Sequence, residues 1–159
     1  AEGPKTWAWE RDWETLCFAL FLFESIMLEV LRFGEFASRT EVDKLIFRRV
    51  LQDQGRHVTF WTSRLQYLVN HAPDSAAVTE RLHQIADGLE IDFLRFYLLN
   101  PLLMEPLALL IAGSVERVEN GFFTLRRLWS NLRNAYLARC DYAGLERRSR
   151  TLILEEAPF

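Results

Sequence analysis

Glu24 stands inside Leu16-Cys17-Phe18-Ala19-Leu20-Phe21-Leu22-Phe23-Glu24-Ser25-Ile26-Met27-Leu28, a carboxylate in an otherwise apolar run. An ionised carboxylate buried without a partner costs several kcal/mol, so Glu24 must be paired, protonated or bound to a metal. Thirty residues on, Val50, Gln54, His57 and Trp61 recur at i, i+4, i+7 and i+11, which is one helical face. Helical bundles build carboxylate-bridged metal sites from a glutamate on one helix and a Glu-x-x-His pair on another. Here Gln54 takes the place of the second glutamate, and a neutral amide cannot supply the charge or the bridge that two metals need. The alternative is a satisfied polar cluster in which Glu24 accepts hydrogen bonds from Gln54 and His57.

Helices must position these groups, since the chain has almost no strand signal. The pattern predicts helix one over residues 12–36, ended near Gly34 and the Ser38-Arg39-Thr40 break. Helix two follows over Glu41 to His71, with Thr40 as N-cap and Asp43 three residues later. His71-Ala72-Pro73-Asp74-Ser75 stops it and caps a third helix reaching about Asn100. A shorter apolar segment from Leu102 to Ala112 contains Pro106 and ends at Gly113. Ser114 is expected to cap a last long helix running to about Arg139. Residues 1–159 therefore read as a single all-α domain, an antiparallel bundle of long helices. The pair at 12–71 carries the candidate site, residues 74–142 supply the further helices, and 143–159 is expected to be a partly frayed tail.

Half of the 159 residues are hydrophobic, with 12 Phe and 5 Trp, enough for a substantial core. The net charge of −3 offers no general attraction to nucleic acid or anionic lipid. Arginine is nonetheless concentrated late in the chain: Ser114 to Arg150 carries 8 Arg against 4 acids. Cys17 and Cys140 form no zinc or redox pattern, and Cys17 reads as a buried small hydrophobe, which suits a reducing, cytoplasmic setting. Glu24, Glu29 and Arg32 interrupt the first apolar run too soon for a membrane span. Glu29 is read as half-exposed or paired with Arg32. The aromatic cluster Trp7, Trp9 and Trp13 is read as packing at the bundle end rather than as a ligand cage.

The run Asp53-Gln54-Gly55-Arg56-His57-Val58-Thr59-Phe60 resembles the Asp-Glu-Ala-Arg-His-Val-Ala-Phe pattern of the ferritin-like di-iron carboxylate superfamily. It is closest to the branch with arylamine N-oxygenases and ribonucleotide-reductase-like oxidases. The resemblance covers roughly residues 13–68 and corresponds to the second half of that bundle only. It implies a ferritin-like fold, a di-iron cofactor, Glu24 and His57 as metal ligands, and Asp53 and Arg56 as groups that orient ligands from the other half. Gln54 departs from the pattern at the bridging ligand position, and Gly55 replaces the usual Ala. A complete site needs a further Glu and Glu-x-x-His that this chain does not offer.

Beside a weaker third, carriage of a ligand in the helical cavity without metal, two functions stay open on this reading. One is a di-iron oxidase or oxygenase half, completed by another segment or chain, with Phe21, Val50 and Trp61 walling a cavity for a hydrophobic small molecule. The other is a non-catalytic bundle subunit that keeps the fold without iron and acts by assembly. Both predict a homodimer or a pairing with a related chain, because the stretches 16–28 and 98–111 are more apolar than one small bundle readily covers.

Overall fold

A computed structural model describes the backbone of residues 5–97 and 101–159 and the side chains of residues 13–96 and 103–159. Every regular element among them is helical: α1 (Lys5–Ala37), α2 (Glu41–His71), α3 (Ser75–Tyr97), α4 (Pro101–Ala112) and α5 (Val118–Ala143). The side chains of Trp7 and Trp9, and the break expected at Asn100, lie outside the described residues.

Local chemistry accounts for the boundaries. Ser38 Oγ donates to the Gly34 carbonyl at 2.7 Å, meeting one of the acceptors that the end of α1 leaves open. Thr40 is extended, and its hydroxyl accepts from the Asp43 amide at 3.1 Å, so α2 starts where the cap pattern put it. Ala72, held extended ahead of Pro73, ends α2. Asp74 Oδ1 then accepts from the Ala77 amide at 3.1 Å at the start of α3. α5 ends at Gly144, whose φ of 82° lets the Gly144 and Leu145 amides turn back to the carbonyls of Asp141 and Cys140. Ser114 does not cap α5 with its side chain; a short 3-10 turn, Val115–Arg117, intervenes before α5 begins.

α1 packs against α2, α3 and α5, and α4 lies along α5. The core joins Phe18, Phe21, Leu22 and Ile26 of α1 to Leu65 of α2, Leu82 and Phe93 of α3, and Trp129, Tyr136 and Leu137 of α5. Phe93 stacks on Trp129 with ring centroids 5.8 Å apart, and Phe21 lies 6.0 Å from Tyr136. Cys17 and Cys140 are free and fully buried, and burial pushes their thiols up to about 11 and about 12. Among the described residues no helix is long and apolar enough to cross a membrane.

After α5 the chain is anchored as far as Ile153, with Leu145, Arg147 and Ile153 buried, while Glu155, Glu156 and Pro158 in the closing stretch expected to fray are exposed. The segment has no regular structure, so side chains must satisfy its backbone. Trp129 Nε1 donates to the Leu154 carbonyl at 3.0 Å, Arg133 Nε to that of Ile153 at 3.0 Å, and Arg126 Nε to that of Phe159 at 2.9 Å.

Candidate functional site

The antiparallel α1–α2 pairing brings Glu24 and Gln54 together. Gln54 Nε2 donates to Glu24 Oε2 and also reaches the Glu24 carbonyl at 3.2 Å. His57 Nδ1 stands 3.7 Å from Glu24 Oε1, beyond hydrogen-bond range. The His57 side chain is 60% exposed against 15% for that of Glu24, so the imidazole lies on the outer surface of the pair. The three residues therefore meet as expected, but one of them faces solvent. Because α1 is apolar on nearly all sides, periodicity alone does not say which side of the α1–α2 pair the other helices cover.

The remaining residues assigned from the resemblance do not converge on this point. Asp53 and Arg56 are both exposed and pair with each other at 3.0 Å, orienting nothing else. Phe21, Val50 and Trp61 do not wall a common cavity. Phe21 is buried between Phe18 and Tyr136, Val50 is exposed, and Trp61 sits against Trp13 at 6.4 Å and Phe60 at 4.9 Å. Trp13 also lies under the Arg64 guanidinium at 5.5 Å. Glu29, expected to be half-exposed or paired with Arg32, is buried and pairs with both Arg32 at 2.9 Å and Arg139 at 2.7 Å.

Among the described residues the donor set does not fit a di-iron centre. The Gln54 amide carries no charge and hydrogen-bonds to Glu24, leaving one carboxylate and one imidazole 3.7 Å from it. Among the described residues no group of three or more His, Cys, Asp or Glu side chains is placed to hold a metal ion. A two-metal site in a bundle draws on four carboxylates and two histidines.

A larger ionic cluster lies elsewhere, between α3, α5 and the tail. Glu90 and Arg147 are both fully buried and lie 2.9 Å apart. Glu90 also accepts from Tyr136 Oη at 2.6 Å, Thr151 Oγ1 at 3.0 Å and the Leu152 amide at 2.6 Å. Arg147 donates to Asp87 at 2.7 Å and stands 3.2 Å from His83 Nδ1. Burial, then the charges of Arg150 and Arg147, hold the His83 imidazole below its usual range, which keeps it neutral beside the guanidinium. His83, Asp87 and Glu90 fall at i, i+4 and i+7, a polar face that reads as solvated until the tail covers it. That periodicity was the available signal; the partner, 57 residues beyond Glu90, had none. A second long-range pair, Arg81 on Glu14 at 2.7 and 2.9 Å, ties α3 to α1.

These clusters hold the fold. With every charge answered by a neighbour, the Glu90–Arg147 group has the form of a structural clamp rather than of a reacting centre. The chain was compared with family models, curated proteins and solved structures, and it matches none of them.

Proposed function

We propose that this chain is a non-catalytic helical-bundle subunit that pairs with a second copy of itself through the outer face of α1 and α2. One observation carries the reading: the apolar residues left uncovered there are periodic. On α1, Leu16, Phe23 and Val30 are exposed at seven-residue spacing, with the partly buried Leu20 and Met27 between them. That is the 3-4 alternation with which helices pack on one another. On α2, Val42, Ile46, Val50 and Phe60 are exposed as well, Ile46 by 56% and Phe60 by 58%. Exposed apolar surface of this extent marks an interface, and a face that pairs with its own copy closes into a two-fold dimer. Glu24, Gln54 and His57 would then lie at the interface, where the amide already satisfies the carboxylate. Free, buried cysteines fit a cytoplasmic setting for such a subunit.

The wild-type protein is expected to scatter light as a dimer at micromolar concentration, with an interface above about 1,000 Å². Combining Phe23→Glu with Ile46→Glu places four carboxylates in that interface and should weaken association by about a hundredfold or more, with helicity retained. A wild-type chain that stays monomeric and soluble would remove the basis for the proposal.

The convergence of Glu24, Gln54 and His57 favours a second reading, in which the chain is one half of a ferritin-like di-iron oxidase completed by another segment or chain. On that reading Gln54→Glu restores the missing carboxylate, and iron retained after desalting should rise by elemental analysis. Iron content equal to wild type after that change would count against it.

A further inference from the structure

Between α1, α4 and α5 lies a cavity of about 270 Å³ whose lining includes Ile26, Phe33, Phe93, Leu107, Leu128 and Trp129. Among the described residues no charged side chain lines it. Phe33 and Leu128 also line an adjoining hollow of about 280 Å³, of mixed character, where Phe36 meets the polar side chains of Glu29, Arg32, Thr124, Arg127 and Asn131. Small-molecule sites have this composition: a concave apolar body, with a few polar groups at one end that fix orientation.

The charges at the polar end select the sign of a ligand. The Glu29 carboxylate is already held by Arg32 at 2.9 Å and Arg139 at 2.7 Å, so it does not call for a cation. The Thr124 hydroxyl is committed to the Asn120 carbonyl at 2.8 Å. Arg127 and Asn131 are exposed, and Arg127 has no ion-pair partner among the described residues. A guanidinium beside a side-chain amide offers planar paired donors suited to a carboxylate. This is also where the arginine excess of the Ser114–Arg150 stretch acquires a use beyond holding the tail.

We infer that the two hollows together bind a medium-chain fatty acid, its tail between α1, α4 and α5 and its carboxylate against Arg127. The apolar hollow, about 270 Å³, suits an alkyl tail of medium length. The lining therefore selects an apolar tail, and Arg127 a negatively charged head. Val30 borders both the cavity and the exposed stripe of α1, but the residues substituted in the test lie on α4 and α5, so the inference is tested apart from the pairing.

The test is calorimetric titration of the full chain with saturated carboxylates from hexanoate to dodecanoate, each below its micelle threshold, beside decan-1-ol and decyltrimethylammonium. Affinity is expected to rise about fourfold for each added methylene and to level off before dodecanoate. Decanoate should bind about tenfold more tightly than decan-1-ol, and Arg127→Glu should erase that difference with the circular dichroism unchanged. Leu107→Trp fills the apolar hollow and should weaken decanoate by about tenfold or more. Absence of saturable heat with every carboxylate overturns the site. Equal affinity for the alcohol or the ammonium, or an Arg127→Glu variant that still prefers decanoate, overturns the head-group assignment.

Discussion

Replacing Glu90 with alanine is expected to lower the unfolding free energy by about 3–5 kcal/mol, the range found when one member of a buried ion pair is removed. Glu90 and Arg147 are each fully buried. Deleting the carboxylate strands a guanidinium with Asp87 as its remaining ion-pair partner and takes the acceptor from Tyr136, Thr151 and the Leu152 amide. Each orphaned donor adds a desolvation cost of about 1–3 kcal/mol unless water enters. Because the clamp holds a segment without regular structure, the loss should appear twice. The urea midpoint should fall, and proteolysis within residues 145–153 should accelerate. Exchanging both Glu90 and Arg147 for leucine removes both charges at once, and should cost less than the two single changes together. A loss under about 1 kcal/mol for Glu90→Ala would mean that solvent already reaches the group.

Gly121→Ala should be the most damaging small substitution in the chain, costing about 3 kcal/mol or more. A Cβ built on Gly121 stands 2.0 Å from the Ala108 carbonyl oxygen, 2.6 Å from its carbon and 2.9 Å from Ala108 Cα. All three are backbone atoms, so no rotamer change relieves the clash, and α4 must move off α5 as a body. That movement would also open the apolar cavity walled by Leu107 and Leu128. Gly55 and Gly88 give the control. Each is helical, and nothing lies within 4 Å of a Cβ built there. Alanine at either position should instead stabilise by about 0.5–1 kcal/mol through the reduced freedom of the unfolded chain. Thermal unfolding of the three variants should therefore show opposite signs. A neutral Gly121→Ala would mean that the α4–α5 crossing is looser than its geometry.

The α1–α2 hairpin was legible in the sequence because its determinants are local. The Thr40 cap, the Asp43 amide it receives and the Ala72-Pro73 stop bound α2 at Glu41 and His71, as read. Once two antiparallel helices meet at a turn near Arg39, residues fifteen before and fifteen after it lie side by side, so Glu24 and Gln54 had to be neighbours. Their chemistry was not decided there. A carboxylate and an amide at that spacing are consistent with a metal half-site or with a hydrogen bond, and spacing alone does not select between them. The exposure of His57 was also beyond reach, because α1 has apolar residues on both flanks. Periodicity shows that faces are apolar without saying which one α3 and α5 will take. The tail is the clearest case. Residues 145–153 have no repeat to read, and Arg147 resembles any solvated arginine in a basic stretch. It becomes a core residue only when Glu90, 57 positions earlier, is brought within 2.9 Å. Local rules decide where helices begin and end. Which of their faces are covered, and which charges are thereby buried together, depends on contacts between distant segments that only the folded chain creates.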